Sequence, residues 1–163
     1  KIIAQYQPGV NTYLYIVPFD KIQKQIIMVV KPDVRMIIYR RFMMKILNLI
    51  AKKENAKAIV TGDSVGQVAS QTLDNIKCIQ EASDLPVLSP LISMNKDETI
   101  LIAKKLGTFD TSIIQGNDCC SFMIAKSPQT HAKIEEILSA EEKIDNKEEL
   151  VKEAVKESEV IKF

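Results

Sequence analysis

The stretch Thr61-Gly-Asp-Ser-Val-Gly-Gln-Val-Ala-Ser-Gln-Thr72 follows directly on the apolar run Ala58-Ile59-Val60, and this junction constrains the fold more than any other part of the chain. A β-prone run that meets a glycine, with Ser64 and then Gln67 three residues on, reads as a strand, a tight turn and a helix opening on a capping box. Strand carboxyl ends and helix N-termini share a crevice in α/β sheets, and the free N–H groups of a helix start favour an anion. Gly62 would let the backbone turn or approach a ligand closely. Gln67 and Gln71, one helical turn apart, would then offer amides on one face.

The flanking segments support an α/β class. Thr12–Val17 is β-branched and aromatic and stops at Pro18. Asp20 then opens a helix through Ile22, Ile26 and Ile27. Lys31-Pro-Asp33 breaks it, and Val34 to Ala51 reads as a long helix with apolar residues nearly all round, hence mostly buried. After the central stretch the helix is expected to run to about Ala82, with Leu73, Ile76 and Ile79 inward. Leu85–Ile92 reads as a short strand between two prolines. Asn95 with Glu98 caps a helix over Thr99–Leu106 that Gly107 ends. Residues 108–130 lack periodicity and read as loop. From His131 the chain is charged helix, then a last helix capped by Asn146 with Glu149, its lysines and glutamates a solvated face. Strands alternating with helices predict a parallel, doubly wound sheet with C-terminal helices. Only three strands are legible, and the others are expected before Lys1, where the chain opens without a methionine. The expected division is 1–130 as the α/β unit and 131–163 as a helical extension.

With 22 basic and 21 acidic residues, the net charge of +1 gives no overall field to draw nucleic acid, so RNA contact would need a local patch or another segment. No apolar run approaches the ~20 residues of a membrane helix, and a cytoplasmic location is the expectation. Cys119 and Cys120 are neighbours, and a bond between them would be strained. They are expected as thiols, whereas Cys78, inside an amphipathic helix, is expected in the core.

Taken together, Tyr15-Ile-Val-Pro-Phe, Arg35-Met-x-x-x-Arg-Arg-x-Met, the central dodecapeptide, Leu85-Pro-Val-Leu-x-Pro-Leu-Ile and Asp118-Cys-Cys resemble, in order and spacing, the C-terminal ATP-pyrophosphatase (PP-loop) domain of the tRNA 4-thiouridine synthetases, or tRNA sulfurtransferases. The resemblance covers residues 10 to 135. It implies an adenine-nucleotide alpha-hydrolase-like fold, adenylation of a tRNA uridine by ATP with Mg²⁺, and sulfur delivered from a cysteine persulfide. In some organisms the family also feeds sulfur to thiamine synthesis. By the same resemblance the nucleotide site includes Arg40, Gly62 and Gln71, and the sulfur-handling residues are Cys119 and Cys120, with no protein metal ligand assigned. A guanidinium suits phosphate oxygens, a glycine admits close approach, and an amide can read a base edge or ribose. Sulfur transfer needs a thiolate, for which Lys126 is the nearest cation in sequence. The implied partners are tRNA, held mainly by a region before Lys1, and a cysteine desulfurase or other sulfur donor; as to a second copy of the chain, monomer and homodimer both stay open.

The family's Ser-Gly-Gly-x-Asp-Ser phosphate loop is absent from these 163 residues, so the chain alone is expected to be inactive. His131, the only histidine, has no nucleophile partner in the pattern, which argues against a Ser-His-Asp site. Asp63 and Asp118 are candidates for acid–base or Mg²⁺ roles, with solvation of a turn as the alternative. A three-cysteine iron–sulfur site from residues 78, 119 and 120 matches no ligand spacing. Two other functions fit the same residues: a nucleotide-binding module without catalysis, and an ATP-pyrophosphatase acting on another acceptor.

Overall fold

The computed structural model describes residues 2, 6, 9, 11–114 and 127–163. Its centre is the helix that the all-round apolar pattern predicts. Helix α2 (Arg35–Lys53) follows a 3-10 turn at Pro32–Val34 and buries Ile37, Ile38, Tyr39, Phe42, Met44 and Ile46. Helix α1 (Asp20–Val29) lays Ile22 and Ile26 against it, and Val30 and Pro32 end α1 where the sequence breaks. Helix α3 (Leu73–Gln80) adds Ile76, Cys78 and Ile79 to the buried set. The C-terminal helices α6 (Ile134–Glu142) and α7 (Lys147–Lys156) contribute Ile137, Val151 and Ala154 to the same core. Burial of one such isoleucine contributes about 1.5–3 kcal/mol, so this helical layer supplies most of the apolar driving force.

Strands are short and form two pairs. β2 (Ile59–Val60) runs parallel to β3 (Val87–Leu88), in register Ile59 to Val87, with the N–H of Thr61 bonded to the carbonyl of Leu88 at 2.9 Å. That parallel pair, flanked by helices, is the α/β element that the sequence predicts. The second pair was not legible: β1 (Tyr13–Ile16) is antiparallel to β4 (Glu159–Lys162), so there are four strands among the described residues, not three. β4 is four residues, half of them charged, and finds its partner more than 140 residues away in sequence. No local pattern reports such a contact.

Several local expectations are corrected. The helix after the central stretch starts at Leu73, not at Ser64; residues 65–68 are turn, and Ala69–Gln71 is a 3-10 turn. Leu73 is accordingly 68 % exposed rather than inward. Asn146 caps α7 from a left-handed backbone, φ 52°, without a side-chain bond to it, so its box with Glu149 does not form. Part of the 108–130 segment is helical, as α5 (Phe109–Ser112). The Asn95 box does form at the head of α4 (Lys96–Lys105), with Glu98 N–H bonded to Asn95 Oδ1 at 2.9 Å and Asn95 N–H to Glu98 Oε2 at 2.8 Å. Gly107 stands beyond its end with φ 69°, the conformation that glycine takes most easily.

One buried ion-pair network ties the helices together. Arg41, 2 % exposed, donates from Nε to Glu141 Oε2 at 2.6 Å, and its Nη1 reaches the Cys78 carbonyl and, at 2.8 Å, Glu81 Oε2. Lys45 pairs with the other oxygen of Glu141. Burial of Glu141 works against its charge, but the bonds from Lys45 and Arg41 outweigh it and hold its pKa below the usual carboxylate range. A depressed folded pKa gives stability that is complete above the unfolded value near 4.3 and lost as pH falls through the folded one. Glu141→Gln should therefore cost about 3 kcal/mol at pH 7, because it removes the buried countercharge that Arg41 and Lys45 share and leaves Arg41 only the half-exposed Glu81 carboxylate and the Cys78 carbonyl. In urea melts the gap to the wild-type chain should close as the pH drops below about 4.

Candidate functional site

The chain leaves the carboxyl end of β2 through Thr61, Gly62, Asp63 and Ser64 and turns back toward α2. Ser64 is fixed from outside this segment: its hydroxyl donates to the Met94 carbonyl at 2.5 Å, and the next N–H, of Val65, bonds the Ile92 carbonyl at 3.0 Å. Gly66 then takes φ 81°, and its N–H closes onto the carbonyl of Gln71 at 3.0 Å. Gly66, not Gly62, is therefore the position where a side chain would strain the turn. Thr72 caps α3, its hydroxyl oxygen accepting from the N–H of Asn75 at 3.3 Å.

Within this corner the buried carboxylate of Asp63, 3 % exposed, collects three donors. Arg40 Nη2, from α2, lies 2.5 Å from Asp63 Oδ1, and Gln71 Nε2 lies 3.2 Å from the same oxygen. Thr61 Oγ1 is 2.9 Å from Asp63 Oδ2 and also 2.9 Å from Ser89 Oγ beyond β3. Arg40 keeps part of its surface open, its side chain being 18 % exposed. Its Nη1 also reaches the Ser70 carbonyl at 3.5 Å, and a guanidinium carries five N–H donors, more than these two contacts use. Gly62 sits beside Asp63, exposed, and a Cβ built there would meet no atom within 4 Å. Space is open above it.

Arg40 and Gln71 thus meet at one carboxylate, with Gly62 next to it in the chain. Gln67 does not join them; it is exposed in the turn, away from the helical position that would have aligned it with Gln71. His131 is exposed and pairs through Nδ1 with Asp74 Oδ2 at 3.0 Å. Cys78 is buried in the core, where loss of hydration pushes its thiol pKa up. Asp118, Cys119, Cys120 and Lys126 lie outside the described residues. Among the described residues no three His, Cys, Asp or Glu side chains gather as a metal site, and no helix is long and apolar enough to cross a membrane.

Sequence reasoning missed Asn75. Wholly buried, it donates from Nδ2 to the carbonyls of Ala69 and Gln129, both at 2.7 Å, and accepts at Oδ1 from the N–H of Ala132 at 3.1 Å. Thr72 adds a bond from its hydroxyl to the Thr130 carbonyl at 2.6 Å. The 129–132 backbone is thereby fastened to the helix that begins beside Gln71. The available signal was an amide on the inner face of an amphipathic helix, next to Ile76, where an unpaired polar group would be costly.

Known proteins resemble the chain along nearly its whole length. A probable tRNA sulfurtransferase of Acetivibrio thermocellus is 47 % identical over 161 residues, which is 99 % of this chain and 40 % of the relative. Its counterpart from Thermus thermophilus is 42 % identical, over 99 % of this chain and 39 % of the relative. The crystal structure of a 4-thiouridine synthetase in complex with RNA and bound ATP superposes with a TM-score of 0.94 at 32 % identity, covering 99 % of this chain and 42 % of that one. This chain spans about two fifths of the length of these proteins, and within that span it has the same fold, α/β with C-terminal helices. The family model described as thiamine biosynthesis protein (ThiI) matches residues 1–146, and the chain belongs to that family.

Proposed function

We propose that this chain is part of an ATP-dependent tRNA sulfurtransferase that makes 4-thiouridine, and that the corner at the end of β2 is a wall of its ATP site. The observation that carries the reading is the convergence of Arg40 and Gln71 on Asp63, beside Gly62, at the carboxyl end of a parallel strand pair. Ligands of open α/β sheets bind at that end. The family resemblance and the relatives' names, tRNA sulfurtransferase and 4-thiouridine synthetase with RNA and ATP, supply the reaction.

In this reading the N–H groups of Arg40 that its contacts with Asp63 and Ser70 do not use hold phosphate oxygens, the open space over Gly62 admits the nucleotide against the backbone, and the Gln71 amide adds a polar contact. Mg²⁺ would travel on the phosphates of ATP. The uridine C4 oxygen attacks the α-phosphorus and pyrophosphate leaves. The terminal sulfur of a persulfide on Cys119 or Cys120 then adds at C4 and AMP leaves; a second thiol attacks the carrier cysteine's sulfur in the resulting Cys–S–S–C4 disulfide, releasing 4-thiouridine and leaving a disulfide that an external thiol reductant returns to two thiols. Carriage of sulfur on cysteine is covalent catalysis, which divides one hard substitution into easier steps. The persulfide would be charged by a cysteine desulfurase or another sulfur donor. tRNA is the partner, a second copy of the chain completes a homodimer, and thiamine synthesis is a second destination for the sulfur. The cytoplasm is the expected compartment.

Two measurements on the full-length gene product test this. Thiolation of unmodified tRNA should fall by about 10²-fold or more in Cys119→Ser or in Cys120→Ser, whichever thiol carries the sulfur; undiminished transfer in both would remove the catalytic assignment. Gly62→Val should leave folding stability within about 0.5 kcal/mol, since the new side chain enters open space. It should nonetheless weaken ATP binding about tenfold by occupying the nucleotide's room. Unchanged ATP affinity would take Gly62 out of the site.

A further inference from the structure

We propose that Asp63 is a positioning residue of the nucleotide site: its buried carboxylate holds Arg40 and Gln71 in the arrangement that meets ATP, and itself contacts neither nucleotide nor metal. This rests on the reading of Arg40, Gly62 and Gln71 as nucleotide-binding residues.

The geometry is that of a clamp. One oxygen of Asp63 takes the donors of both ligand-facing side chains, Arg40 at 2.5 Å and Gln71 at 3.2 Å. The other takes the Thr61 hydroxyl at 2.9 Å, and Thr61 is itself within 2.9 Å of Ser89 Oγ across the β2–β3 pair. The carboxylate is thus braced on the strands and reaches over to α2 and to the 3-10 turn that carries Gln71. Electrostatics argues that its value is geometric. A site built only to attract an anion would leave Arg40 unneutralised, whereas a carboxylate beside it reduces the field felt by a phosphate. What the carboxylate supplies is order: an arginine side chain has rotamer freedom to lose on binding, and a tethered guanidinium has already lost most of it. A Mg²⁺ role fits poorly, because both oxygens already accept hydrogen bonds and Asp63 belongs to no group of three or more His, Cys, Asp or Glu side chains among the described residues.

The test is equilibrium ATP binding by the full-length gene product, with and without Mg²⁺, for the wild type, Asp63→Asn, the Arg40→Ala/Gln71→Ala double variant and the triple variant that combines them. Asp63→Asn should weaken binding about tenfold, equally in both conditions, and should add less than about twofold once Arg40 and Gln71 are already alanine. A loss that vanishes without Mg²⁺ would make Asp63 a metal ligand instead. A loss that multiplies in the triple variant would show that it does not act through Arg40 and Gln71, and tighter binding would show that the carboxylate only repels phosphate. Each of these overturns the proposal. Thr61→Val, which removes one brace and leaves Asp63 in place, should give a weaker loss of the same pattern; it carries the test if Asp63→Asn does not fold, and an unchanged affinity there then overturns the proposal. Wild-type protein that fails to bind ATP would sink the functional reading and this role with it. Wild-type binding matched by all the Asp63 and Thr61 variants would sink this role alone.

Discussion

Two adjacent arginines on α2 govern the arrangement of everything else. Consecutive helical residues point about 100° apart, so Arg40 and Arg41 cannot serve the same neighbour. Arg41 turns inward to Glu141, the Cys78 carbonyl and Glu81, joining α2 to α3 and α6. Arg40 turns toward the end of β2 and meets Asp63. Because Arg41 is locked by charge and direction, α2 is fixed in rotation about its own axis. That rotation decides where Arg40 lies. Apolar packing alone would set it loosely, since α2 is buried on most sides and Leu, Ile and Met contacts tolerate small rolls. The buried ion pair supplies the missing angular specification, at the desolvation cost that such pairs carry.

The corner itself is held by side chains doing what a helix ladder does elsewhere. Between Ser64 and Thr72 there is no α-helix, so backbone groups there find partners one at a time: Gly66 on Gln71, Gln71 on Val68, the Ala69 carbonyl on Asn75. A segment stitched in this way keeps irregular backbone directions, which a helix could not. The gain is that Gln71 can reach Asp63 while Thr72, the next residue, starts α3. Asn75 extends the stitching to residues 129–132, so the corner and the chain that returns after residues 115–126 share one buried amide.

How much of this could be read beforehand divides by the range of the deciding contact. The buried nature of α2, the Asn95–Glu98 box and the Gly107 stop depend on neighbours within a few residues, and each was legible. The Ser64–Gln67 box satisfies the same local rule and fails, because the segment is aimed elsewhere: the Ser64 hydroxyl donates to the Met94 carbonyl, 30 residues on, and the Val65 N–H to the Ile92 carbonyl. Leu73 was assigned inward on the assumption of a helix starting at Ser64, so its error follows from that one. β4 depends wholly on a distant partner. At the corner, family resemblance singles out Arg40 and Gln71, which the structure does bring together, whereas the carboxylate that unites them carries in the sequence only the pattern of an acid–base group, a Mg²⁺ helper or a solvated turn residue. Nothing in the spacing of positions 40, 63 and 71 announces that three elements will bring them within 3.2 Å.

A site on this plan responds to the core in a particular direction. Perturbation of Glu141 leaves Arg41 only Glu81 and the Cys78 carbonyl and so loosens the rotation of α2, which acts on Arg40, whereas the Asp63 carboxylate is braced to Thr61, itself bonded to Ser89, on the strands. The two halves of the corner therefore belong to different mechanical bodies, one helical and one of strands, joined at the Arg40–Asp63 contact. A helix turn of about 10° moves a guanidinium some 6–7 Å from the axis by roughly 1 Å, and hydrogen bonds weaken steeply over that distance. Core packing and the geometry of the corner are for this reason coupled through α2. A substitution far from the corner that loosens Arg41 acts on Arg40 without touching it, and its effect on Arg40 exceeds its effect on Gln71, which is carried by the stitched segment instead.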